Sequence, residues 1–141
     1  MEMKHFVLGF VFNKSQDAVL LVEKKRPDWQ KGFYNGIGGK IKLDETPLEA
    51  MNREAIEEVA NIYKFEHVIT FVCPGGTVFV FKAVTLTDII PYQQMEDEIL
   101  HRMPLTCLPE KMMANLKWMI PVCLSNLQFP IILQQNTLGV L

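Results

Sequence analysis

The sequence predicts a mixed fold, α/β or α+β, and three observations predict it. Residues 4–12 (KHFVLGFVF), 18–23 (AVLLVE) and 77–86 (TVFVFKAVTL) are apolar runs of strand length, rich in β-branched and aromatic side chains. Residues 47–60 contain no helix breaker beyond an opening proline and carry a helix start signal. Apolar residues recur at helical spacing across 109–124. A length of 141 residues fits one domain, 1–141, with room for a substantial core.

Taken in order, 4–12 and 18–23 flank a polar turn at Asn13 to Asp17, which predicts a hairpin. Lys24-Lys25-Arg26-Pro27 opens a loop that runs through Trp29, Gly32 and Asn35. Gly36 to Ile41 reads as a short glycine-rich strand. Pro47 suits the first turn of a helix, where its missing N–H has no partner to lose. Thr46 is the expected N-cap, and Glu49 completes a capping box. On a wheel of ~100° per residue, Leu48, Met51, Ala55, Val59 and Ile62 form one stripe, the expected core face.

Tyr63 to Val72 reads as the next strand, and Pro74-Gly75-Gly76 as a turn into the strand at 77–86. Thr87 to Asp97 is a polar loop, and Glu98 to Met103 a short strand ended by Pro104. Pro109 to Leu124 is the second expected helix, kinked or shortened by Pro121, its methionines serving as core. The tail, Leu127 to Leu141, reads as a hairpin that joins the sheet or another subunit. There are no internal repeats.

Composition narrows the function classes. Hydrophobic residues make up 49% and charged residues 21%, as in soluble globular proteins. The formal charge of -2 and the lack of any basic run argue against a nucleic-acid polymer as partner. No run reaches the ~18 apolar residues of a membrane span, and the N-terminal residues lack a signal-peptide pattern. Cys73, Cys107 and Cys123 are odd in number and widely spaced, as expected of free buried thiols in a reducing cytosol. The expectation is a cytoplasmic protein, a monomer or homodimer, acting on a small molecule.

Glu54, Glu57 and Glu58 are related as i, i+3 and i+4, so they converge on one patch beside the core stripe. A solvated helix face explains Glu49 with Arg53 but poorly explains three carboxylates crowded at a core edge. A hard divalent cation relieves their repulsion and takes oxygen ligands, which points to Mg²⁺, with Mn²⁺ as a substitute.

The stretch from Gly39 to Glu58 resembles the Nudix box, G-x5-E-x7-R-E-U-x-E-E-x-G-U, where U is a bulky aliphatic residue. Gly39, Glu45, Arg53, Glu54, Glu57 and Glu58 match it in identity and spacing. Ala55, Ala60 and Asn61 depart from it. The family glycine ends the helix in a left-handed conformation, which Asn tolerates better than Ala. The expectation is therefore a helix one residue longer, with Asn61 left-handed and Ile62 in the aliphatic role.

The resemblance implies an α/β/α sandwich with a mixed central sheet, and hydrolysis of a nucleoside diphosphate linked to another group. It implies Glu54, Glu57, Glu58 and the Gly38 carbonyl as metal ligands, with Glu54 or Glu57 also handling the attacking water. Arg53 is expected to pair with Glu45 and brace the loop against the helix. Lys40 is placed to meet a phosphate, or equally is a solvated lysine. A further acidic ligand is expected from Glu96, Asp97 or Glu98, with Glu98 preferred.

Lys24-Lys25-Arg26 and Tyr34 to Lys40 also resemble the MutT-type branch, which acts on oxidised purine triphosphates such as 8-oxo-dGTP. That resemblance implies purine contacts from Asn35 and Asn115, whose amides offer a donor and an acceptor. Each is otherwise an ordinary turn or helix residue. Trp29, Tyr34 and Trp118 are candidates to stack on a base, although Trp118 reads better as core. The function expected is a nucleoside triphosphate pyrophosphohydrolase releasing pyrophosphate. The alternatives are a hydrolase of ADP-ribose or a nucleotide sugar, and a non-catalytic nucleotide-binding module.

Overall fold

A computed structural model describes residues 4–128 and 130–136. The chain begins with β1 (Lys4–Phe12) and β2 (Ala18–Glu23), an antiparallel pair joined at Val11–Leu20 and Phe12–Val19. Asn13 builds the turn. Its Oδ1 accepts from the backbone N–H of Asp17 and of Ala18, both at 3.0 Å, in place of a regular ladder.

Beyond those two pairs the hairpin splays, and the glycine-rich segment fills the wedge. β3 (Tyr34–Asn35) pairs with the end of β2, while β4 (Ile37–Lys40) pairs with the first half of β1. The fit is close. A Cβ on Gly38 would sit 2.1 Å from the Val7 carbonyl oxygen, and one on Gly36 would sit 2.7 Å from that of Gly9.

After α1 (Pro47–Val59) come β5 (Glu66–Cys73), β6 (Gly76–Val84), β7 (Ile99–Pro104), α2 (Leu116–Leu124) and β8 (Ile131–Gln134). All eight strands form one mixed sheet. β6 runs parallel to β1 along its full length and antiparallel to β5, while β7 lies antiparallel to β2.

Alternation along the strands builds two cores. Val7 and Val11 of β1 and Leu20 and Val22 of β2 face α1, packing with Met51, Ala55 and Val59. Phe10, Phe12, Val19 and Leu21 face the other way, onto Leu116, Met119 and Ile120 of α2. Strands buried on both faces read as continuous apolar runs, which explains residues 18–22. The result is the α/β/α sandwich with a mixed central sheet.

The Thr46 and Glu49 capping box is present at α1. Its other end differs from expectation. Ala60, not Asn61, is left-handed (φ 53°, ψ 38°), so the helix is not extended. Asn61 instead donates from Nδ2 to the Pro91 carbonyl at 3.0 Å and accepts from the Ile62 N–H. That tether occupies the residue best suited to the left-handed position, and the exposed Ala60 takes the strain. Ile62 is 69% exposed and Leu48 45%, whereas Ala50 is fully buried. The buried face is rotated toward Ala50, and on the wheel this carries Glu54 and Glu58 into it.

The second helix starts at Leu116, not Pro109. Lys111 and Met113 instead bond through their backbones to Tyr34, at 2.7 and 3.0 Å, extending the β3 edge. Pro121 lies inside the helix without ending it. The strand expected from Tyr63 starts at Glu66, because Tyr63 and Phe65 turn inward as core under α1. The tail forms a single strand, β8, parallel to β5, not a hairpin; residues 137–141 of that expectation lie outside the described residues. Among the thiols only Cys123 is buried; Cys107 is exposed and Cys73 intermediate.

Gly38→Ala should therefore cost about 2–3 kcal/mol, the penalty of overpacking against immovable backbone. A fall in the urea midpoint at unchanged slope would show it; an unchanged midpoint would mean that β4 can slide away from β1.

Candidate active site

The site forms where β4 passes between α1 and β1. Gly39 lies against Glu54, so closely that a Cβ there would come 2.3 Å from Oε1 of the carboxylate. The glycine of the motif thus makes room for the glutamate of the motif.

Arg53 organises the charges around that contact. Its Nε and Nη2 grip the two oxygens of Glu45 at 2.6 and 3.0 Å, a bidentate fork. Nη2 also donates to the Lys40 carbonyl at 3.0 Å, and Nη1 to Glu54 Oε1 at 2.9 Å. A weaker contact at 3.4 Å reaches Glu57. One guanidinium thereby joins the loop after β4, the helix and two of the three clustered carboxylates. The Glu45 carboxyl is lowered to about 2, first by its hydrogen bond to Arg53 and then by the Lys42 N–H.

The three carboxylates occupy unlike environments. Glu57 is exposed. Glu54 is raised by burial, with Arg53 opposing that rise and Glu57 and Glu96 adding to it. Glu58 is pushed up to about 8, first by burial, then by Glu54, with Lys24 pulling the other way. Among the described residues Glu58 has no hydrogen bond or ion pair from its side chain. A sunken carboxylate with acidic neighbours and no donor is a poor core residue and a suitable ligand for a hard cation. As the side chains stand, no group of three or more His, Cys, Asp or Glu among the described residues closes around a common metal position.

The later loop divides its carboxylates. Glu98 is 6% exposed, and both its oxygens are engaged: Oε1 by Lys24 Nζ at 3.1 Å and Oε2 by the Lys25 N–H at 2.8 Å. Burial raises its carboxyl, but the Lys25 N–H and Lys24 together hold it below the usual value. Asp97 pairs with Arg26 at 2.6 Å. Glu96 makes no side-chain bond among those found and acts on both Glu54 and Glu58. The carboxylate left facing the cluster is therefore Glu96 and not Glu98. Gln94 holds this loop in shape, accepting from the Leu100 N–H at 3.0 Å and donating to the Glu96 and Glu98 carbonyls.

On the α2 side of β4 lies a cavity of about 650 Å³, within the usual size of small-molecule sites. Asn35, Lys40 and Asn115 all line it, so these three expected substrate residues are brought together. Gly38 and Gly39 form the wall between the cavity and the carboxylates. Lys4 and Lys24 also line it, with Leu8, Val78, Met113 and Met119 as its apolar floor. Trp29 lines it too and is largely exposed, whereas Trp118 packs edge-on to Phe71 in the α2 core. Lys24 and Gln94 were not singled out from the sequence. The visible signal for Lys24 is a basic cluster ending an apolar strand; nothing in the sequence marks Gln94.

Residues 3–119 match the model of the NUDIX domain. A NUDIX hydrolase from Nitrosomonas europaea superposes with a TM-score of 0.75 at 15% identity, covering 97% of this chain and 81% of that one. A MutT protein from Bacillus halodurans gives 0.68 at 24% identity, covering 88% and 84%. The NUDIX domain of NrtR from Shewanella oneidensis, complexed with ADP ribose, gives 0.58 at 19% identity, covering 75% of each chain. No curated protein matches the sequence. Fold and motif together define an enzyme of pyrophosphate bonds. The chain belongs to the NUDIX domain family and is a Nudix hydrolase. Such hydrolases generally use divalent metal ions and bind small nucleotide derivatives. No helix among the described residues is long and apolar enough to cross a membrane.

A carboxyl raised to about 8 by folding binds a proton that the unfolded chain has released above its ordinary value. Stability of the metal-free protein therefore falls as pH rises through that window. Glu58→Gln should remove the penalty, raising the metal-free Tm by a few degrees at pH 8 and by less at pH 5. Equal gains at both pH values would show that the Glu58 carboxyl is not perturbed.

Proposed function

We propose that the protein is a divalent-metal-dependent nucleoside triphosphate pyrophosphohydrolase, cleaving NTPs or dNTPs to the monophosphate and pyrophosphate. The observation that carries this reading is the pairing of a donorless sunken Glu58 with a lysine-edged cavity across one glycine strand. In this reading Glu54, Glu57, Glu58 and the Gly38 carbonyl hold the ion, Mg²⁺ with Mn²⁺ able to replace it. Glu96 takes the place expected of Glu98 as the further acidic contributor. The ion supplies neutralisation of phosphate charge and activation of water.

The other steps belong to the chain itself. Arg53 keeps Glu45 and the loop seated, and by holding Glu54 it sets the angle from which that carboxylate meets the site. Glu57, exposed and only weakly tied to Arg53, is free to orient or take a proton from the attacking water. Lys40 and Lys24 offer point charges to the phosphates from the cavity side. Asn35 and Asn115 meet the base. The MutT resemblance brings oxidised purines such as 8-oxo-dGTP into the substrate range, and the two amides decide between oxidised and unoxidised forms. A cytoplasmic enzyme acting as one domain over 1–141, as monomer or homodimer, completes the proposal.

The ADP ribose complex of the Shewanella domain supports a second reading, cleavage of ADP-ribose or a nucleotide sugar. Product analysis with Mg²⁺ over the four dNTPs, 8-oxo-dGTP, ADP-ribose and a nucleotide sugar separates the two. The triphosphate reading expects pyrophosphate and a monophosphate, with turnover at least 100-fold lower in Glu57→Gln, the scale of losing acid–base catalysis. Turnover of ADP-ribose or the sugar alone would replace it with the second reading.

A further inference from the structure

The orientation of the two cavity amides is fixed by neighbours that can only donate. Asn35 Oδ1 accepts the Gly36 N–H at 2.8 Å. Asn115 Oδ1 accepts the indole N–H of Trp118 at 2.9 Å. A backbone N–H and an indole N–H have no acceptor capacity, so each amide must turn its oxygen toward them and its NH₂ group away. Neither Nδ2 has a hydrogen-bond partner among the described residues. Both residues line the cavity, and neither is fully exposed. Trp118 is itself held by its edge-on packing against Phe71, ring centroids 5.3 Å apart.

We infer that the cavity reads its base through a pair of donors, and so selects an edge made of neighbouring acceptors: the O6 and N7 of an unoxidised guanine-type purine. The assignment rests on the nucleotide reading of the cavity and deepens it. Adenine offers a donor, its N6 amino group, where guanine offers O6. An 8-oxo purine carries hydrogen on N7, a donor where the amides need an acceptor. Both leave one amide donor facing another donor, and a site built to hydrogen-bond one pattern rejects its inverse strongly. The inference therefore narrows the substrate away from the oxidised purine that the family branch suggests. It also makes Trp118 a positioning residue, since its indole decides which way the Asn115 amide faces.

The test measures kcat/KM by pyrophosphate release for dGTP, dITP, dATP, 7-deaza-dGTP and 8-oxo-dGTP. dGTP and dITP share O6 and N7 and should be comparable. The other three should fall by about tenfold or more, the discrimination of a good paired contact. Trp118→Phe keeps an aromatic ring on Phe71 but frees Asn115 to turn, so the dGTP-to-dATP ratio should narrow. Asn115→Asp removes the donors and should narrow it too, with the unfolding midpoint confirming that each variant is folded. Equal or better turnover of dATP or 8-oxo-dGTP by the wild type, or a ratio unmoved in both variants, overturns the inference while pyrophosphate release keeps the triphosphate reading. Calorimetric binding of dGMP against dAMP tests the edge whatever bond is cleaved: tighter dGMP supports it, and equal affinities sink it. If no triphosphate releases pyrophosphate, the triphosphate reading fails separately.

Discussion

The contact on which the rest depends is the approach of Gly38 and Gly39 to two neighbours at once. On one side Gly38 lies against the Val7 carbonyl of β1, and on the other Gly39 lies against the Glu54 carboxylate of α1. No side chain larger than hydrogen fits either place without moving backbone or charge. Because β4 is this thin, α1 can set a carboxylate directly over the edge of the sheet. The same thinness puts the cavity on the far side of the strand within reach of the carboxylates. The splaying of β1 from β2 makes the gap that β4 occupies, so the hairpin, the glycines and the helix are one construction.

Charge is then distributed so that repulsion remains in one place. Arg53 neutralises Glu45 and part of Glu54, and Lys24 and Arg26 neutralise Glu98 and Asp97. What is left without a partner is Glu58, with Glu57 only loosely held. A paired carboxylate is stabilising or neutral where it stands, whereas a buried one without a donor costs folding energy until a cation arrives. The metal-free fold thus carries strain at the position where the proposed ligand would relieve it, a common trade of stability for function.

Much of this was legible in the sequence, and the reasons for the rest are physical. β1 and β2 match their predicted ranges because strands buried on both faces leave unbroken apolar runs. The Arg53–Glu45 pair and the capping box were readable because both depend on local spacing. The errors arose where a distant contact outbid a local preference. Asn61 is the better left-handed residue, yet Pro91, 30 positions away, holds its amide. Met112 and Met113 have helical spacing, yet Tyr34 supplies their stretch with strand partners. Glu98 looked like the free carboxylate of its loop, and only the fold reveals that Lys24 and Lys25 take both its oxygens.

The same logic separates what a motif can specify from what it cannot. The box fixes residues that act through spacing on one helix and one loop, so it carries the chemistry of the phosphates. Base selection depends on Asn35 and Asn115, which lie 80 positions apart and meet only because α2 packs across the sheet face beside β3. An Asn in sequence offers donor and acceptor alike, and nothing nearby reveals which will face the cavity. The choice is made by a neighbour with a single possible role, the Trp118 indole or the Gly36 backbone. Specificity here resides in the hydrogen bonds that the amides have already spent, which is why the residue type alone points to a purine without saying which one.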